Sequence, residues 1–164
     1  MKEFKIYTCG KMSGIPYEQQ IKWRYYIEKC IKNNTPYMDC NVKFIHPPLF
    51  YNYEENQHKF EREIFEWELT QVHDCDIVVV NLDQIDTTIG SHMELGTVNA
   101  INMFGDMHIF VIGVGKSENL HPWIKERRPR IEDSFEHAAI YICDYLLSGS
   151  RSCSNCHPVF ARYP

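Results

Sequence analysis

Asp76-Ile-Val-Val-Val-Asn-Leu-Asp83, then Gln-Ile-Asp-Thr-Thr-Ile, then Gly90-Ser-His-Met-Glu94-Leu-Gly96-Thr-Val-Asn-Ala100, is the stretch that decides the fold. Ile77 to Val80 is an unbroken β-branched run, the pattern of a strand covered on both faces. Thr87, Thr88, Gly90 and Ser91 supply hydroxyls and backbone freedom where that strand ends. The run from Gly90 to Ala100 reads as a helix carrying one acid, Glu94, in its first turn. Ligands of open α/β sheets bind at the carboxyl ends of the strands, so Glu94 is expected beside a ligand and Asp76 at the other end of the same unit.

The flanking segments repeat the pattern. Residues 4–9 and 42–45 read as short strands, and residues 108–113 as a further buried one. Residues 17–32 form a helix with Ile21, Tyr25, Ile27, Cys30 and Ile31 as its apolar stripe. Residues 57–73 form a second helix on Phe60, Ile64, Trp67, Leu69 and Val72, with Glu61, Glu63, Glu66 and Glu68 as a mostly solvated face. A last helix over 133–147 turns Phe135, Ala138, Ala139, Ile142, Tyr145 and Leu146 inward. Strands alternating with helices predict an α/β domain with a parallel sheet of four or five strands. The domain spans residues 1–148 and is followed by a Cys-containing tail, 149–164.

Composition narrows the function. A net charge of -5 argues against a general nucleic-acid binder. The densest basic patch, Lys125-Glu-Arg127-Arg128-Pro-Arg130, reads as a solvated loop or a minor anion contact. No run is apolar enough to span a bilayer, and Met1-Lys-Glu-Phe-Lys5 lacks a signal-peptide core. The expected compartment is the cytoplasm, where the seven cysteines are reduced thiols. In the tail, Cys153, Cys156 and His157 make a Cys-x-x-Cys-His motif, the haem c attachment pattern and half of a zinc site. Haem attachment normally follows export, and zinc would need further ligands, for which His121, His137 and Cys143 are candidates. A loosely packed tail is the expected reading, with no metal and no cofactor assigned.

Two loops border the expected ligand. Gly10-Lys11-Met12-Ser13-Gly14-Ile15-Pro16 follows the first strand with two glycines, a cation and a hydroxyl. It is either a tight turn or an anion-facing one. His46-Pro-Pro-Leu-Phe-Tyr-Asn52 carries aromatics and a histidine, and its two prolines are expected to forbid regular structure. It reads as a wall for a flat base or as a rigid loop packed on the domain.

Two carboxylates converging on a pocket suit glycosidic cleavage. Near a helix N-terminus Glu94 should stay ionised. Asp76, at the buried start of a strand, is either an acid of raised pKa or a structural residue bonded to backbone amides. Spacing does not choose between these.

Tyr7, Gly10, the Asp-Ile-Val-Val-Val-Asn-Leu run from Asp76, and Gly90-Ser-His-Met-Glu94-Leu-Gly96-x-x-x-Ala100 together resemble the nucleoside 2-deoxyribosyltransferase superfamily. The Gly-x-x-x-Glu-x-Gly-x-x-x-Ala pattern is its most specific part. The resemblance covers roughly residues 4 to 147, the middle in layout only. It implies a flavodoxin-like, Rossmann-like three-layer sandwich that assembles as a homodimer or higher oligomer. It also implies that Glu94 is the nucleophile forming a glycosyl ester, that Asp76 assists at the base, and that Tyr7 orients the nucleophile. Transferases of this kind tend to carry an aspartate six residues before the nucleophile; here that residue is Thr88. Relatives that cleave nucleoside 5'-monophosphates tend to have a hydroxyl there, and a first loop similar to Cys9-Gly-Lys-Met-Ser-Gly14. Lys11, Ser13, Thr88 and Ser91 would then cradle a phosphate, with Gly10, Gly14, His46 and Gly90 completing the substrate site. The expected activity is hydrolysis of the N-glycosidic bond of (deoxy)nucleoside 5'-monophosphates. The alternatives are base exchange between deoxynucleosides and a non-catalytic nucleotide-binding module.

Overall fold

The computed structural model describes residues 2–35, 40–51, 60–126 and 129–148. The chain runs β1 (Lys2–Cys9), α1 (Tyr17–Asn34), β2 (Cys40–Ile45), a single turn α2 (Pro47–Phe50), α3 (Glu61–His73) and β3 (Ile77–Asn81). It continues through α4 (Ile89–Phe104), β4 (Phe110–Val114), a short α5 (Pro122–Lys125), β5 (Arg130–Glu132) and α6 (Phe135–Tyr141). All five strands are parallel, in the order β2-β1-β3-β4-β5. This is the flavodoxin-like order of a doubly wound sheet.

β3 shows why its sequence is apolar throughout. Val78 and Val80 project to one side of the sheet, into a core shared with Val72, Leu95, Val98 and Ile124. Ile77 and Val79 project to the other, among Ile27, Ile31, Ala138, Ala139 and Ile142. Helices α3, α4 and α5 thus cover one face and α1 and α6 the other, giving three layers. Each fully buried Ile or Val contributes about 1.5–3 kcal/mol relative to exposure.

Several expectations are corrected. The two prolines after His46 do not forbid helix: they occupy the first two positions of α2, where the missing N–H has no intrahelical role. β5 is too short to be legible as a strand in the sequence, with only three residues. The last helix widens into a π-turn over Ile142–Leu147, which moves the inward positions to Cys143 and Leu147 and leaves Tyr145 exposed. Tyr25 is likewise exposed. The tail with Cys153, Cys156 and His157 lies outside the described residues, as do Arg127 and Arg128. Among the described residues no helix is long and apolar enough to cross a membrane.

Candidate functional site

The sheet order reverses between β1 and β3. From β1 the chain crosses through α1 to β2 on one side, and from β3 it crosses through α4 to β4 on the other. The loops leaving these adjacent strands part, and a crevice opens at their carboxyl ends. A cavity of about 240 Å3 lies there. Its lining comes from Thr8 on β1, Gly10, Met12 and Ser13 after it, Arg24 on α1, Pro47 and Tyr51 around α2, Glu68 on α3, and the run Thr87 to Ser91 with Glu94 at the start of α4.

Glu94 is the sixth residue of α4 and so belongs to its second turn, not its first. It is only 5% exposed. Tyr7, wholly buried on β1, donates its hydroxyl to Glu94 Oε1 at 2.5 Å. Burial pushes the Glu94 carboxyl up, against the opposing pull of the Cys9 thiol, the Tyr7 hydroxyl and the Arg24 charge. The expectation that the helix N-terminus keeps Glu94 ionised is met by an opposing effect: one turn deeper, burial raises the carboxyl. The same burial, with the Glu94 charge beside it, raises the Tyr7 phenol well above its usual value.

Glu68, which the helical pattern assigns to a solvated face, instead lines the cavity. It follows Ile64 by four residues and precedes Val72 by four, and both of those are buried. All three share one side of α3. Tyr51 donates its hydroxyl to Glu68 Oε1. Burial, then repulsion from Glu94, raises the Glu68 carboxyl to about 8, although Tyr51 and Arg24 pull the other way. Sequence reasoning also misses Arg24. It lies on the buried side of α1 with Gln20, Ile27 and Ile31. Its guanidinium donates to the carbonyls of Gln20 and Gly10, the latter at 3.1 Å. Burial lowers it to about 10, so it remains cationic at neutral pH. A charged side chain three or four residues from buried apolar ones is the available signal for both.

Asp76 is not part of this site. It stands just before β3, at the amino end of the sheet, about 16 Å of strand from the cavity end. It accepts the Lys5 N–H at 2.8 Å, and its own N–H donates to the Lys5 carbonyl at 2.9 Å. The structural reading of this aspartate is the observed one.

His46 does not line the cavity either. Its buried ring bridges Thr8 Oγ1 at 2.9 Å and Glu28 Oε2 at 2.7 Å, and burial lowers its pKa. Lys11 is not in the lining: its ammonium donates to Gln84 Oε1 at 3.1 Å and to Thr87 Oγ1, on the cavity's rim, at 2.9 Å. Gly14 sits at φ +74°, the turn geometry that glycine permits, and is not in the lining. Gly10, Ser13, Thr88, Gly90 and Ser91 do line the cavity. Thr88 stands at the N-cap position of α4 with its hydroxyl donating to the Gln84 carbonyl at 3.3 Å, and the first-turn N–H groups behind it have no intrahelical acceptor, a geometry suited to an anion.

No family model and no curated protein matches this chain. Among solved structures, it is similar to a conserved protein from Enterococcus faecalis V583, with 14% identity and a TM-score of 0.58 over 84% of this chain and 95% of that one. An azoreductase from Bacillus anthracis str. Sterne aligns at 14% identity and a TM-score of 0.38, covering 79% of this chain and 76% of that one. The first likeness concerns the fold alone. The class defined by fold and crevice is an α/β protein with its cavity at the topological switch point.

Proposed function

We propose that this chain hydrolyses the N-glycosidic bond of (deoxy)nucleoside 5'-monophosphates, as the resemblance to the nucleoside 2-deoxyribosyltransferase superfamily implies. The observation that carries the reading is the pair Glu94 and Glu68 in one cavity, the first held by the Tyr7 hydroxyl and the second by the Tyr51 hydroxyl. Glu94 has a thiol, a phenol and a guanidinium supporting its anion. Glu68 has the Glu94 charge opposing its own. In this reading Glu94 acts as the anion, and Glu68, raised to about 8 by burial and by the Glu94 charge, holds its proton near neutral pH.

Glu94 Oε attacks the anomeric carbon, the carbon–nitrogen bond breaks, and its electron pair leaves with the base, which takes the Glu68 proton. Water then attacks the glycosyl ester, giving a proton to the Glu68 carboxylate and releasing the sugar phosphate with Glu94 free. Tyr7 holds the nucleophile in position. The 5'-phosphate lies against the start of α4, with Thr88, Ser91 and Ser13 as donors.

The test is incubation with deoxynucleoside 5'-monophosphates and deoxynucleosides, with and without a second free base, followed by chromatography. Free base and deoxyribose 5-phosphate should form without an acceptor base. Products that require a second base, or that arise only from unphosphorylated substrates, overturn the reading.

The homo-oligomeric assembly implied by the resemblance finds support in one face of α4. Ile89, Met93, Gly96, Ala100 and Met103 recur at three- and four-residue spacing on the exposed side of this helix, and Ile89, at 81% exposure, also borders the cavity. A second copy on this face would cover the mouth of the site. Sedimentation of the wild type against Met93→Glu tests this, the variant being expected to dissociate. The free thiols of Cys9, Cys30, Cys75 and Cys143 suit a reducing compartment such as the cytoplasm.

A further inference from the structure

Behind the turn at Gly10 and Lys11 lies a second hollow of about 650 Å3, within the usual range of small-molecule sites. α1 provides one wall. Lys22, Tyr26 and Lys29 follow one another at spacings of four and three, so they line the same side of the helix. Trp23 and Phe135 of α6 stack with ring centres 5.6 Å apart and planes 17° apart. Tyr26 meets Phe135 edge-on at 6.4 Å and donates its hydroxyl to Glu136, which fixes the ring. Lys11 also lines the hollow. Its bonds to Gln84 and Thr87 use two of three ammonium hydrogens, leaving one for a ligand.

The charges lining this hollow are three ammonium groups against one carboxylate, Asp83, on a chain whose net charge is -5. Aromatic surface beside clustered ammonium groups is the complement of a flat ring bearing an anion. Lys22 and Lys29 stand about 10 Å apart along α1, so a ligand can set its phosphate on one end while its ring covers Tyr26. The wall shared with the Glu94 cavity is thin. A Cβ on Gly10 would meet Trp23 Cζ2 at 3.0 Å, and the Arg24 guanidinium lies 4.4 Å from the centre of the Trp23 ring.

We propose that this groove is a second small-molecule site, taking an aromatic anion of mononucleotide size. It is separate from the Glu94 cavity and does not depend on the chemistry assigned there. The probe is adenosine 5'-monophosphate, titrated calorimetrically into the full chain carrying Glu94→Gln, which prevents turnover, with adenosine and inorganic phosphate as controls. The comparison adds Lys22→Glu and Lys29→Glu on the same background. Both lysines are exposed, and circular dichroism checks the fold of each variant. The expected result is that one bound nucleotide per chain is lost, or weakened at least tenfold, by the charge reversal, and that neither control binds as tightly. Binding that survives the charge reversal unchanged, or no binding by the Glu94→Gln chain, overturns the proposal. Because cleavage is not the readout, failure of the glycosidase assay leaves this result interpretable.

Discussion

The cavity around Glu94 and the groove along α1 lie on two sides of one turn, and they handle charge in opposite ways. In the first, Glu94 and Arg24 are almost wholly removed from water, and Glu68 is half-buried beside them. Their fields act through a medium of low polarisability, so each alters its neighbours' protonation. In the second, Lys11 is half-exposed and Lys22 and Lys29 are exposed, so water and salt screen them within about 10 Å. Buried charge can set chemistry, while exposed charge can only gather a ligand.

This contrast breaks or holds by experiment. The largest effect is expected from Glu94→Gln, which should slow nucleotide cleavage by roughly a thousandfold or more, measured by base release in single-turnover assays. Glu68→Gln should lose on the order of a hundredfold. In the wild type, rate should fall as pH rises past about 8, where Glu68 gives up its proton. That limb should vanish in the variant. The same group has a stability consequence. Its folded-state pKa lies above the ordinary 4.5, so the folded chain binds this proton more tightly than the unfolded one. The contribution is complete below about pH 4.5 and is lost as pH rises to about 8. Denaturant melts across that window should show a downward slope that Glu68→Gln flattens.

Tyr7→Phe removes one hydrogen bond to a buried carboxylate, worth about 1.5 kcal/mol, and should slow cleavage about tenfold at unchanged substrate affinity. The smallest effect belongs to the groove. Lys22→Glu with Lys29→Glu should leave unfolding free energy within about 0.5 kcal/mol of wild type, read by urea titration, because neither side chain is buried. A large loss there would mean that the two hollows do not differ as described.

Much of the frame is legible because β3 is written as a β-branched run and α4 as a periodic one. Glu94 comes from its place after the β3 strand end and Tyr7 from the resemblance, and the structure puts them in contact. The hidden part is equally instructive. Asp76 draws attention because it stands beside the apolar run, but a strand separates its two ends, and only the carboxyl end faces the crevice. Glu68 and Arg24 escape because a charged residue on an amphipathic helix is ordinarily solvated. The spacing of Glu68 from Ile64 and Val72, and of Arg24 from Gln20, Ile27 and Ile31, carries the information. Lys11 illustrates the converse. Its place in the first loop suggests a phosphate contact, whereas its ammonium is bonded to Gln84 and Thr87 and lines the groove along α1.

The margins of the sheet have a bearing on how copies of this chain meet. β2 ends the sheet on one side with Asn41 and Lys43 in water, and β5 ends it on the other after only three residues. Among the described residues neither offers a long, uncharged ribbon for another strand to extend. Addition of another strand to either edge is thereby discouraged.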